Sequence, residues 1–200
     1  MGTRHLVSAM AATLLLAAPT VAADDEAGPT GPPLGPPAVY EDPAGDVPEG
    51  APDLISCGVS EPWESLVRFE LEFATDPPLS YDVETWTTDE LWVMVATEPG
   101  AAMPEDLEYA LIVHGATLSE AAETGSGLFD ATAAEGEEVF WNVVDVEVDG
   151  PTIALSVDRK LLGDPDSFAF FAMVATEGTD EHDSCPDEEV GPGAYELFGT

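Results

Sequence analysis

The chain has 200 residues and is strongly acidic, with 41 Asp and Glu residues against 4 Lys and Arg residues and a formal net charge of −37. So few basic residues cannot neutralise phosphate groups, which excludes nucleic acids and anionic membranes as partners. The acids are interspersed with apolar residues, as on the solvated surface of a folded domain, whereas a disordered acidic tail would lack core residues. Such a surface either tolerates high salt or binds cations.

The first 23 residues predict a secretory signal peptide. Residues 1–5 carry one Arg and no acid, residues 6–19 are apolar, and Val21-Ala22-Ala23 supplies the small residues that signal peptidase requires. The apolar stretch is shorter than the roughly 18 residues of a membrane span. We therefore expect cleavage after Ala23 and a secreted, extracellular protein without a membrane anchor.

Residues 24–37 are mostly acids, Gly and Pro, which predicts a disordered spacer. From residue 38 to residue 200, short β-branched and aromatic runs recur between Gly, Pro and Asp clusters, the pattern of an antiparallel all-β domain. The prediction is a single two-sheet antiparallel β-sandwich of the immunoglobulin or jelly-roll kind.

The run at 67–73 is the clearest strand, because apolar and charged residues alternate strictly. The nearly continuous apolar runs at 91–96 and 168–174 indicate central strands covered on both faces. Asp149-Gly150 predicts a tight hairpin at 148–152. The full set of predicted strands is 54–59, 67–73, 91–96, 109–114, 139–148, 152–157 and 167–174, with a helical turn at 159–162.

Cys57 and Cys185 are the two cysteines of the chain. Two thiols in an exported protein favour a disulfide, which here would tie the start of the domain to its end.

A loop rich in Pro and Gly just before the first predicted strand contains Asp42, Asp46 and Asp53. Carboxylates in flexible loops suit calcium better than zinc or copper, so these three residues are candidate calcium ligands. A second acidic group near Cys185 would lie close to the first if the disulfide forms; it consists of Asp180, Asp183 and Asp187. The alternative is that the aspartates only cap turns.

No catalytic pattern stands out. The two histidines beyond the signal, His114 and His182, belong to no metal-ligand motif, and Ser126 lies in no nucleophile elbow. With 41 acids, a pair of carboxylates can be found anywhere, so such a pair indicates no glycosidase. We expect a protein that is not an enzyme.

Among the four tryptophans, Trp86 lies in a polar stretch and is the candidate for stacking on a sugar ring, whereas Trp92 lies in an apolar run typical of a core.

Several short segments resemble those of uncharacterised secreted bacterial β-sandwich domains similar to the carbohydrate-binding module family 9 and DOMON-like group. The resemblance covers roughly residues 39–197 and implies a two-sheet sandwich with a non-catalytic binding role, in a group whose members bind sugars, calcium or haem. The segments are Tyr40-Glu41-Asp42-Pro43-Ala44-Gly45-Asp46, Pro52-Asp53-Leu54, residues 157–166, Cys185-Pro186-Asp187 and Gly193-Ala194-Tyr195.

The resulting functional hypothesis is a secreted, non-catalytic module that binds extracellular carbohydrate and holds a structural calcium ion. The alternative is an acidic structural or interaction domain adapted to high salt, which meets a cationic partner and has no small-molecule ligand.

Overall fold

The structure is a computed structural model that describes residues 36–63, 65–76, 78–82, 87–98, 107–115, 126–133, 138–176, 182–186 and 192–196. The predicted signal peptide and most of the predicted spacer lie outside these residues. No helix in the described part of the chain has the length and apolar composition that a membrane span requires.

The regular structure of the described residues is nearly all strand, with a 3-10 turn at Arg159–Leu162 and no α-helix among them, which confirms the all-β prediction. The first strand begins at residue 38, where the sandwich domain was predicted to start. The strands are β1 (Ala38–Glu41), β2 (Leu54–Trp63), β3 (Leu66–Phe73), β4 (Tyr81–Asp82), β5 (Thr87–Ala96), β6 (Tyr109–His114), β7 (Gly127–Asp130), β8 (Glu138–Trp141), β9 (Val144–Asp149), β10 (Thr152–Asp158), β11 (Ser167–Thr176), β12 (His182–Cys185) and β13 (Gly193–Glu196), and the 3-10 turn is Arg159–Leu162.

The strands build two antiparallel sheets. The first has the order β1-β2-β3-β10-β9, and the second has the order β12-β11-β5-β6-β7-β8 with β4 added on β5 and β13 added on β11. Because β5 occupies one edge of β11, β12 and β13 pair with successive parts of its other edge. The two-sheet sandwich is thereby confirmed, and β5 and β11 are central strands as predicted.

Strand β3 shows how the sequence pattern builds the core. Its apolar residues from Val67 onwards are buried, whereas Arg68, Glu70 and Glu72 alternate with them on the outer side. Phe69 is fully buried, and its ring lies 5.9 Å from that of Phe168 and 5.6 Å from that of Phe170. Since both partners belong to β11, these rings join the first sheet to the second.

The prediction of one strand at 139–148 is wrong. The chain leaves the second sheet at the end of β8 and enters the first sheet at the start of β9. Asn142 lies between them with φ at 61°, and its amide donates to the Ser126 carbonyl at 2.8 Å. The Ser126 hydroxyl donates to the Val144 carbonyl on the far side of this corner. The apolar run conceals the corner because Asn is one of the few residues that adopt a positive φ readily.

Two local predictions are confirmed. Gly150, with φ at 59°, joins β9 to β10, and Asp149 pairs with Thr152 across the hairpin. The helical turn at 159–162 begins after Asp158, whose side chain accepts the Lys160 amide, and ends at Gly163 with φ at 79°.

The predicted disulfide between Cys57 and Cys185 is present, with 5.9 Å between the two Cα atoms. It joins β2 of the first sheet to β12 of the second, and both cysteines are fully buried. The sequence separation of 128 residues makes this one covalent link across most of the domain.

We expect the double variant Cys57→Ala, Cys185→Ala to lose about 2 to 5 kcal/mol of unfolding free energy, because the unfolded chain regains the freedom of a long loop. Urea unfolding of the oxidised wild type and the variant measures the difference. The wild type under reducing conditions is the control and should match the variant. Equal midpoints for the oxidised protein and the variant would contradict the prediction.

Candidate metal centre and aromatic face

Two aspartates of one loop and a third from near the end of the domain converge beside the disulfide. Asp42 follows β1, Asp46 lies in the turn after it, and Asp183 lies in β12. One carboxylate oxygen of each residue lies within 4.8 Å of the others. Asp42 and Asp183 are buried and Asp46 is exposed, so the cluster opens towards solvent through Asp46.

Asp183 is held by backbone amides of both sheets. Its Oδ2 accepts the Leu54 amide at 2.6 Å, and its Oδ1 accepts the Ser184 amide at 2.8 Å. Leu54 begins β2 and Asp183 lies two residues before Cys185, so the hydrogen bond and the disulfide link the same two strands.

Asp53, a predicted ligand, takes a different position. Its Oδ2 accepts the amide of Gly45 at 2.8 Å, and it does not belong to the three residues whose oxygens converge. Gly45 has φ at 81°, so the loop between Asp42 and Asp46 turns at a residue suited to that conformation. Asp53 therefore stabilises the loop that contains Asp42 and Asp46, through its hydrogen bond to the Gly45 amide.

Asp183 takes the place of Asp53 in the group of converging aspartates. The second acidic region was expected to lie close to the first at the disulfide, and Asp183 does so. Asp180 and Asp187, the other members of the second predicted group, lie outside the described residues.

The electrostatics of the cluster are unfavourable without a cation. Burial raises the pKa of the Asp183 carboxyl above its ordinary value of 3.8, and the charges of Asp46 and Asp53 raise it further. The hydrogen bonds from Leu54 and Ser184 oppose these effects only in part. A bound cation would favour the charged carboxylate and reverse the shift.

The geometry and the donor set fit calcium. Calcium binds oxygen ligands at about 2.3 to 2.6 Å, so oxygens on opposite sides of one ion lie about 5 Å apart or less. The distances within the triad meet this limit. Structural zinc sites use Cys and His ligands instead.

A second feature is the outer face of the second sheet. Along β5, Leu91, Val93 and Val95 belong to the main core, whereas Trp92 and Met94 pack in a separate apolar cluster. Side chains alternate between faces along a strand, so Glu90, Trp92 and Met94 face away from the main core.

Residues directly opposite each other in neighbouring strands share a face, so the ladder register identifies the rest of this surface. Two rows cross the sheet from β11 through β5, β6 and β7 to β8. One row is Met173, Trp92, Ile112, Gly127 and Trp141, and the other is Phe171, Met94, Ala110, Phe129 and Val139. We call these ten residues the aromatic face.

The aromatic face becomes more exposed towards β8. Phe171 and Met94 are buried and Trp92 is half-buried, whereas Trp141 is 49% exposed. A Cβ atom on Gly127 would lie 3.0 Å from two carbon atoms of the Trp141 indole. The indole therefore lies close over the backbone of β7, which a larger residue at 127 would prevent.

Polar groups border the aromatic face at Glu90. His114 pairs with Glu90 across β5 and β6, with 3.0 Å between its Nδ1 and the Glu90 Oε1. The indole N–H of Trp92 donates to Oε2 of the same carboxylate at 3.4 Å. A carboxylate and an imidazole thus stand beside an aromatic ring, and both are 24% exposed.

Trp86, the predicted sugar-stacking residue, lies outside the described residues. Trp92 was expected in the core, and it lies instead in the smaller cluster on the outer face. The sequence did not distinguish Trp141 as an exposed tryptophan. The apolar and polar residues around it alternate only weakly, and its exposure depends on the chain corner at Asn142.

No protein-family model matches this chain, and neither a curated protein nor a solved structure matches it. The resemblance to secreted sugar-binding sandwiches therefore stays a prediction, and the functional argument rests on the aspartate cluster and the aromatic face.

Proposed function

We propose that the protein is a secreted, non-catalytic carbohydrate-binding module whose fold is held by a structural calcium ion. The observation that carries the proposal is the aromatic face, where Trp92, Phe129 and Trp141 lie on one side of one sheet. The apolar face of a sugar ring packs on an aromatic ring, and its hydroxyl groups need hydrogen-bonding partners. Glu90 and His114 offer such partners at the border.

The disulfide and the predicted signal peptide support secretion, because disulfides persist in oxidising compartments. Binding by a rigid sheet surface needs no acid, base or nucleophile, which agrees with the lack of a catalytic pattern in the sequence.

Calcium has a structural role in this proposal. The ion would join the loop after β1 to β12 through Asp42, Asp46 and Asp183, next to the disulfide. It would also offset the repulsion between these carboxylates.

The outer face of the first sheet favours the second candidate, an acidic interaction domain adapted to high salt. Glu70, Glu72, Glu147 and Asp149 are exposed there, and Arg68 is the base among them, at 2.8 Å from Glu147. Such a face is well hydrated and would attract a cationic partner without a small-molecule site.

We expect calcium at a hundred times its Kd to stabilise the protein by about 2.7 kcal/mol, because the ion binds the folded chain. Thermal unfolding at constant ionic strength, with calcium, magnesium or neither after chelation, measures the effect. Asp46→Asn and Asp183→Asn should remove the gain, and Asp145→Asn on the exposed part of β9 is the matched control. An equal gain from magnesium or NaCl would rule out a calcium site.

The raised pKa of Asp183 predicts a pH dependence of the metal-free protein. Between the ordinary pKa of 3.8 and the raised pKa, the folded chain binds more protons than the unfolded chain. The contribution of Asp183 to stability therefore falls as the pH rises through this window, and calcium restores it by favouring the charged form. Urea unfolding without metal from about pH 4 to pH 7 should show a steeper decline for the wild type than for Asp183→Asn. Parallel curves would contradict the prediction.

Loss of the exposed ring should weaken carbohydrate binding. We expect Trp141→Ala to raise the Kd for a polysaccharide by about tenfold, or about 1.4 kcal/mol, because one stacking surface disappears. Affinity electrophoresis in gels that contain soluble polysaccharides measures the Kd. Trp63→Ala is the matched control, since Trp63 is 37% exposed at the end of β2 in the other sheet. Failure of the wild type to bind any member of a broad panel would favour the acidic interaction domain.

A further inference from the structure

The negative charge of the protein limits which class of sugar the aromatic face would bind. We propose that this face binds a cationic amino-sugar chain, a polymer of pyranose rings that carry free amino groups. The inference rests on the proposed carbohydrate-binding function and adds the chemical class of the sugar. Three observations carry it: the charge of the chain, the pairing of an indole with a carboxylate, and the length of the face.

The field of the protein favours a positive ligand. With 41 acidic and 4 basic residues, the chain repels anionic polysaccharides and attracts cations. The bases of the described residues lie away from the aromatic face: Arg68 is on β3 of the first sheet, and Arg159 and Lys160 are in the 3-10 turn. A neutral sugar gains nothing from this field, whereas an ammonium group gains both rate and affinity of binding.

Trp92 and Glu90 provide a combined site for one amino sugar. The Trp92 indole N–H donates to the Glu90 carboxylate, so the ring and the negative charge are adjacent. A sugar ring on the indole places its amino group where the carboxylate can accept a charge-assisted hydrogen bond. The indole face itself attracts a cation. Glu90 keeps acceptor capacity, because a carboxylate accepts about four hydrogen bonds and the contacts to His114 and Trp92 use two.

The aromatic face is long enough for several linked sugar rings. Trp92 on β5 and Trp141 on β8 are three strand spacings apart along one row, or about 14 Å. Ile112 and Gly127 lie between them in the row and are buried, and the Trp141 indole extends over Gly127 towards Trp92. A chain that crosses the strands would contact both indoles, so the face suits an oligosaccharide better than a monosaccharide.

Calorimetry on the full mature protein with calcium present tests the proposal. Three β-1,4-linked hexasaccharides of equal length serve as probes: glucosamine with free amines, its fully N-acetylated form, and glucose. We expect the glucosamine hexamer to bind about tenfold more tightly than either neutral hexamer, because only its amines pair with the carboxylate and the indoles.

Variants separate a built site from general attraction to an acidic protein. Glu90→Gln should lower the affinity for the glucosamine hexamer to that of the neutral hexamers, because the negative charge that pairs with the amine is lost. Trp141→Ala, which retains the charge of the chain, should weaken binding of all three. The matched controls are Glu72→Gln on the outer face of the first sheet and Trp63→Ala, and neither should change any affinity.

Each other outcome overturns the proposal in a recognisable way. Equal affinity for the three hexamers, with loss in Trp141→Ala, would refute the preference for amines and leave carbohydrate binding intact. Binding of the glucosamine hexamer that is unchanged in Glu90→Gln and Trp141→Ala, and that hexalysine displaces equally well, would show charge attraction alone. Binding of none of the hexamers would refute this inference, while the polysaccharide panel decides the proposed function.

Discussion

The link between β2 and β12 is the constraint on which the rest of the domain depends. Two bonds form it, the disulfide between Cys57 and Cys185 and the hydrogen bond from the Leu54 amide to Asp183. Both connect the first sheet to the second at one lateral edge of the sandwich. At the opposite edge the chain itself crosses from β8 to β9 through Asn142. One edge is thus closed by a chain corner, and the other needs a cross-link because its strands lie 128 residues apart.

Two of the buried acids of this domain, Glu61 and Asp183, have different electrostatic surroundings. Glu61 is fully buried and has Arg159 beside it, 3.6 Å from its Oε1, and Arg159 also lies 2.8 Å from Asp164. Removing one charge of such a pair would leave the other buried alone, which costs several kcal/mol. The ion pairs of the described residues include none to Asp183, whose neighbours Asp46 and Asp53 are acids. The calcium ion proposed above would compensate that carboxylate.

The sequence predicts structural features that depend on a local residue pattern, and it does not predict features that depend on which strands lie next to each other. Alternation fixed β3 and the Asp-Gly dipeptide fixed the β9–β10 hairpin, because neighbouring residues determine both. Asp42 and Asp46 were recognised from their Pro- and Gly-rich loop. Their convergence with Asp183 instead of Asp53 depends on which strand lies beside β2, and no local pattern encodes that. The strands β1, β4, β7, β12 and β13 were missed because a strand of two to four residues carries too little periodicity to be recognised.

The two outer faces of the sandwich show that acidity alone does not explain this surface. A domain that only had to stay hydrated at high salt would present acids on both sheets, as the first sheet does with Glu70, Glu72 and Glu147. The second sheet presents aromatic and aliphatic side chains, and half of Trp141 remains in contact with water. The exposed apolar surface of this face lies on β8, where Val139 is 38% and Trp141 49% exposed, and exposed apolar groups of this kind mark candidate sites of interaction. Gly127 has no side chain, so the Trp141 indole packs on the backbone of β7 with one side while about half of its surface remains exposed to solvent. The proposal of a ligand that combines an apolar ring with positive charge rests on this aromatic ring within an acidic protein.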